Sequence, residues 1–178
     1  MSYDISLMDP VTNRVAEVPG HLMIGGTYVA DYHPETGTFT PALNTNAELN
    51  ITYNYSHYYY ETYKDKGIRA IYGITGLDSI PMLEKIAENI KKRYIVDGEW
   101  VVSKRTKKVY FDKAGKSYRA EDVFCNNVDY VRTEEVEYEI SEGETSNYWD
   151  STAANALKPI YQLIALAKMR PDCIWGGD

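Results

Sequence analysis

Two stretches of the chain carry residue types at spacings suited to ligand chemistry. In Asn50-Ile-Thr-Tyr-Asn-Tyr-Ser-His57, strand geometry would set Asn50, Thr52, Asn54 and Ser56 on one face and Ile51, Tyr53 and Tyr55 on the other. A file of small amides and hydroxyls makes a poor core face and a good lining for a polar pocket. The same file also suits an exposed face, or the flank of a neighbouring strand. His57 follows it, placed to orient a ligand or to bond a tyrosine. Further along, Arg69 precedes Gly73-Ile-Thr-Gly76, which leads into a helical pattern. Free N–H groups at a helix N-terminus attract anions, and an arginine adds a bidentate contact to phosphate. Asn54, Tyr55, Ser56, His57, Arg69 and Thr75 are therefore the candidate ligand-binding residues. The Gly25-Gly26 pair offers close ligand approach or a bulge.

Signals for catalysis are weaker. His21, His33 and His57 fall in no metal-binding pattern, and the chain has neither a Gly-x-Ser-x-Gly elbow nor a Walker loop. Two cysteines, Cys125 and Cys173, are too few for a four-cysteine zinc site, and both read as packing residues. Asp129, Glu134, Glu135, Glu137 and Glu139 read as a solvated acidic face rather than a metal site. No catalytic residue, metal or cofactor is assigned.

The elements that must position these residues follow from periodicity. Asp9-Pro-Val-Thr-Asn13 is turn chemistry between β-like segments. His21–Ala30 reads as a strand broken by its glycine pair, and 31–46 as a loop. Glu48–Tyr55 alternates apolar and polar, as a strand does. Ile80, Leu83, Ile86, Ala87 and Ile90 are spaced for a helix, with Asp78 or Ser79 as cap and Pro81 in the first turn. Segments within 94–140 are strand-like, with turns at Asp97-Gly98 and Ala114-Gly115. A buried helix covers about 151–169, and Pro159 either kinks or restarts it. Ile174 and Trp175 belong to an extended tail that packs back on the body. The fold class expected is α+β: a small antiparallel sheet packed by two or three helices, with a β-hairpin or meander inserted at 92–146 in one domain spanning 1–178.

Charge marks that insertion. Residues 92–120 hold 9 basic and 3 acidic groups, and residues 121–150 hold 1 basic and 10 acidic. Adjoining blocks of opposite sign are either two attracting faces of one element or a bipolar surface for docking a partner. The net charge of -7 argues against general nucleic-acid binding. No apolar run is long enough to cross a membrane, and the N-terminus lacks signal-peptide character, so a cytoplasmic location is expected. Tyrosine is abundant, 17 against 3 phenylalanines and 3 tryptophans, which suggests surfaces that are apolar and hydrogen-bonding at once.

Several strings occur together: Asn50-x-Thr-Tyr-Asn-Tyr-Ser56, Gly67-Ile-Arg-x-Ile-Tyr-Gly-x-Thr-Gly76, Ser79-Ile-Pro-x-Leu83, Tyr148-Trp-x-x-Thr-x-x-Asn-Ala156 and Ala167-x-Met-Arg-Pro-Asp-x-x-Trp-x-Gly-Asp178. The combination resembles a group of small uncharacterised proteins of phages, prophages and bacterial genomes, over residues 1–30, 48–91 and 147–178. Cys173 and Ala154 stand where that pattern has glycine. The resemblance implies a phage-type accessory role in the host cytoplasm, of the kind that blocks host defence. It carries over no catalytic residue. The leading expectation is non-enzymatic sequestration of a small nucleotide-like ligand, with tyrosines stacking the base and Arg69 with loop amides holding phosphate. The alternative is a protein–protein inhibitor or adaptor that docks a host protein through the charged 92–150 segment. A phosphodiesterase-like hydrolase is third. The exposed aromatics permit a homo-oligomer with ligand sites between subunits.

Overall fold

The computed structural model describes residues 2–23, 30–120, 123, 125 and 127–178. Gly25-Gly26 lies outside the described residues, as does most of the strand expected around it. The fold is α+β, with small antiparallel sheets and helices. The chain divides into two compact units, Met1–Glu99 with Gly143–Asp178, and Trp100–Glu142.

The first unit is built on a three-stranded antiparallel sheet with β1 (Ser2–Met8) at its centre. Short strands β2 (Glu17–His21), β3 (Ala30–His33), β4 (Thr38–Pro41) and β5 (Asn44–Asn46) follow, and then β6 (Glu48–Thr52) returns to pair with β1, Ile5 opposite Leu49. On the other flank of β1 lies β12 (Ile174–Gly177), with Leu7 opposite Trp175. Alternation in β1 sends Tyr3, Ile5 and Leu7 inward, each at most 2% exposed, and leaves Asp4 outside. Leu49, Ile51 and Trp175 complete the inner face. Gly177 must be glycine, because a Cβ there would meet the Asp4 carbonyl and the Tyr72 hydroxyl.

The segment read as a loop, 31–46, instead contains the β3–β4 hairpin and β5. Pro34-Glu-Thr-Gly37 supplies the turn, with Gly37 at φ 66°, and Thr38-Phe-Thr40 supplies β-forming residues. The strand expected over 48–55 ends at Thr52. There the Thr52 hydroxyl accepts the Asn54 N–H, and the chain turns into a 3-10 helix, Tyr53–Tyr55, followed by α1 (Ser56–Tyr60). The polar file Asn50-Thr52-Asn54-Ser56 is therefore not one strand face. Capping chemistry at Thr52 overrides the alternation.

Helix α2 (Gly76–Tyr94) is capped by Thr75, whose hydroxyl accepts the Asp78 N–H at 3.1 Å, rather than by Asp78 or Ser79. Pro81 accordingly falls in the second turn. Lys91, Lys92 and Arg93 suit the negative end of the helix dipole. Helix α3 (Ala153–Met169) is capped by Thr152 and runs through Pro159 without restarting. Its buried Leu157, Ile160, Leu163 and Ile164 share the core with Leu83, Ile86 and Ile90 of α2. Each such side chain, fully buried, contributes about 1.5–3 kcal/mol.

The chain leaves α2 through β7 (Ile95–Val96), the Asp97-Gly98 turn at positive φ (52° and 84°) and β8 (Glu99–Trp100). In the second unit, β9 (Val102–Phe111) lies between β10 (Ser117–Tyr118) and β11 (Arg132–Ser141), all antiparallel. Tyr110 packs edge-on against Tyr130, with ring centroids 4.9 Å apart. Buried Glu142 accepts from Arg105 at 2.7 Å.

Candidate functional site

The anion site expected before α2 is filled by the chain itself. The Gly76 N–H donates to the Cys173 carbonyl at 2.7 Å and the Leu77 N–H to the Pro171 carbonyl at 3.0 Å. Asp78 and Ser79 donate to the Thr75 side chain and carbonyl. Sequence alone could not show that a segment a hundred residues away would supply these acceptors.

Arg69, in a 3-10 turn over Gly67–Ile71, points elsewhere. Its Nε donates to the Asp178 backbone oxygen at 3.0 Å and its Nη2 to the Tyr53 hydroxyl at 2.8 Å. The guanidinium carbon lies 4.9 Å from the Tyr3 ring centroid, a cation–π contact. Tyr72 also donates to the Asp178 oxygen, and burial pushes its phenol up to about 12. Arg69 thus fastens the last strand to the sheet.

The remaining expected residues divide between two neighbourhoods. Asn54 donates to the Trp149 carbonyl at 2.9 Å, and Tyr55, fully buried, donates to the Tyr148 carbonyl. Ser56 donates to the Tyr53 carbonyl and accepts from Tyr3, which brings it beside Arg69. The His57 ring lies 3.9 Å from that of Tyr58. Thr75 stands at the α2 cap, against the 170s. The six residues do not line one pocket. What the sequence signal marked as a ligand face is largely tyrosine stitching: Tyr55, Tyr58 and Tyr59 are buried and donate to carbonyls of Tyr148, Ser151 and Ala156. Burial raises the Tyr59 phenol well above its ordinary value.

A further polar cluster joins Asp9, Arg170, Asp172 and Cys173. The two carboxylates and the thiol offer ligand atoms within 4.8 Å of one another. Arg170 already supplies positive charge there, donating to Asp9 at 2.9 Å and to Asp172 at 3.2 Å. Backbone N–H groups led by Thr12, with Arg170, hold Asp9 down to about 2. Burial pushes the Cys173 thiol up, away from nucleophilic use. Cys173 is buried as expected of a packing residue, whereas Cys125 is exposed.

The charged blocks resolve into the two long, paired strands of one three-stranded sheet, here called the hairpin. Lys104 pairs opposite Glu139 and Lys108 opposite Glu135, sharing a face with Thr106 and Glu137. On the other face, Lys107 lies over the Tyr138 ring and Arg132 over the Phe111 ring, at 5.0 and 4.3 Å. Strand β11 is an edge strand, with β9 as its one strand partner among the described residues. It carries Glu134, Glu135, Glu137 and Glu139, all exposed.

No family model, curated protein or solved structure matches the chain. Among the described residues no helix is long and apolar enough to cross a membrane. The charge step at residue 92 was the sequence signal for the hairpin. Nothing in the sequence distinguished strands paired with each other from a surface waiting for a partner.

Proposed function

We propose that the protein is a non-enzymatic binding protein that engages a protein partner through the outer edge of β11. The observation that carries this reading is the long, exposed, acidic edge strand. An unpaired edge presents a row of backbone donors and acceptors to any strand that fits it. Pairing β11 with a second β11 would set glutamates against glutamates, which is unfavourable. A strand bearing lysine or arginine at alternate positions suits it, as β9 does from the inner side. The partner is thus a protein with a basic, extended segment. The resemblance to phage and prophage proteins favours a host protein in that role, and an inhibitor or adaptor function. Sequestration of a nucleotide-like ligand at Arg69 has less support, because its proposed contacts are paired within the chain.

Cross-linking mass spectrometry in expressing cells tests the proposal. Wild type should give partner cross-links that map to Arg132–Ser141. The Glu134→Lys/Glu137→Lys variant should lose them while β9 and β11 stay paired, since Val109 and Thr106 stand opposite and the Arg132–Glu134 ion pair is exposed. Retention of the same cross-links by that variant would sink the edge-docking mode.

A further inference from the structure

The sheet of the second unit has another open edge besides that of β11. Strand β10 meets β9 only at Tyr110 and Phe111. The direction of the other β9 backbone groups follows from one bond. The Glu142 N–H donates to the Val101 carbonyl at 2.9 Å, so these two residues bond toward each other. In an antiparallel pair, residues that bond inward and outward alternate. Lys104, Thr106 and Lys108 therefore send their N–H and C=O groups away from β11, and no strand among the described residues meets them. By the same alternation Glu135, Glu137 and Glu139 send theirs away from β9. The sheet thus has a basic edge, with Lys104, Lys107 and Lys108 exposed, and an acidic edge, with Glu134, Glu135, Glu137 and Glu139 exposed.

The charges left unmatched inside the chain match between these two edges. Lys107 stands opposite Val136, Glu137 opposite Thr106 and Glu134 opposite Val109. If β9 of one copy lies parallel to β11 of another with Lys107 opposite Glu137, Lys104 comes opposite Glu134. The backbone groups agree with this register. The Thr106 N–H meets the Glu135 carbonyl, and the Glu137 N–H meets the Thr106 carbonyl. Parallel ladders are slightly weaker per residue than antiparallel ones. An antiparallel joint in the register of the hairpin, however, would set Glu137 against Thr106 and Lys107 against Val136 once more. Connectivity also favours the parallel joint. The chain enters β9 at Val102 and leaves β11 at Ser141, each close in sequence to the first unit. Parallel docking then attaches the first units of two copies at opposite ends of the joint.

We infer that the acidic edge of β11 takes the basic outer edge of β9 from a second copy of this chain, in parallel. The inference rests on the edge docking proposed above and names a second copy as an occupant of that edge. Each joint leaves one acidic and one basic edge open, so association continues head to tail. A partner with a basic strand competes for the same edge and ends the series.

Sedimentation velocity on the full chain from about 1 to 100 μM tests the inference, a range suited to a small interface with a micromolar Kd. The weight-average mass should rise with concentration past that of a dimer, and fall toward the monomer as salt is added. Thr106→Pro deletes an outward N–H that β11 does not use, and an edge strand tolerates proline there. It should stay monomeric with the far-UV spectrum of wild type. Lys107→Glu and Glu137→Lys each set like charges across the joint, and each should raise Kd by about three- to tenfold. Mixed in equal amounts, at a concentration that leaves each alone dissociated, they should associate, because every joint between unlike copies again pairs a glutamate with a lysine. Wild type that stays monomeric throughout overturns the inference. Association kept by Thr106→Pro, or absent from the mixture, overturns it equally. Partner cross-links at Arg132–Ser141 from a chain that stays monomeric would sink the second copy and leave the docking reading standing.

Discussion

Replacing Tyr59 by phenylalanine tests whether the tyrosines are structural. Tyr59 is fully buried, and its hydroxyl donates to the Ala156 carbonyl at 3.0 Å. Ala156 lies in the first turn of α3, so its carbonyl also faces the helical N–H four residues on. Loss of the phenol should therefore remove one hydrogen bond without orphaning the carbonyl. The expected cost is about 0.5–1.5 kcal/mol. For a chain of this size that is a fall in Tm of roughly 2–4 °C per kcal/mol. Urea unfolding followed by tryptophan fluorescence, to which buried Trp175 contributes, reads it, with the slope m unchanged. Tyr161, 43% exposed, is the control, and Tyr161→Phe should stay within about 0.5 kcal/mol of wild type. The sign with pH follows from the raised phenol. The neutral form is favoured in the fold, so its stabilisation is intact below the ordinary value of 10.0 and is lost as pH climbs above it. The gap between wild type and Tyr59→Phe should narrow from pH 10 upward. If Tyr59→Phe proves no more harmful than Tyr161→Phe, the stitching account of the tyrosines is refuted.

Three further outcomes are expected. Arg105→Met removes the guanidinium that donates to the Glu142 carboxylate, 1% exposed, and should destabilise by about 1.5–3 kcal/mol in denaturant titration. Gly76→Ala would gain stability in an ordinary helix, but here the new Cβ meets the Arg170 carbonyl and lies 3.0 Å from that of Ala167; a net loss of about 1–3 kcal/mol is expected, and a gain would show that the tail moves aside. The lowered Asp9 carboxyl contributes stability above its ordinary value of 3.8 that is lost as pH falls through about 2; in acid titrations wild type should lose its advantage over Asp9→Asn across that window.

Much of the fold was legible because the relevant signals are local. Helical spacing from Ile80 to Ile90, the Asp97-Gly98 turn and the apolar face of 156–167 each depend on a few consecutive residues. The candidate site was less legible, because its meaning is set by distant partners. Asn54, Tyr55 and Tyr58 satisfy carbonyls between 148 and 151, and no spacing near residue 55 announces that. Thr52 looked like one member of a polar strand face. Its capping bond to Asn54 decides instead that the strand stops. The loop expected at 31–46 failed for the opposite reason, since Thr38-Phe-Thr40 is too short to give a period but long enough to pair.

The two charge anomalies of the sequence end in different ways, and the difference bears on function. At α2, positive potential from the helix N-terminus is neutralised inside the fold by carbonyls of Pro171 and Cys173, so no ligand is needed there. In the hairpin, lysines 104 and 108 face glutamates 139 and 135, which accounts for one side of β11. A strand has two edges, however, and its side chains serve both. The acidic row that steadies β9 on the inner side is presented unchanged on the outer side. There it repels another acidic strand and accepts a basic one. Pairing within the hairpin therefore does not use up the charge pattern. Under the proposed docking, Glu134 and Glu137, which face no lysine across β9, would join Glu135 and Glu139 in setting which partner the outer edge takes.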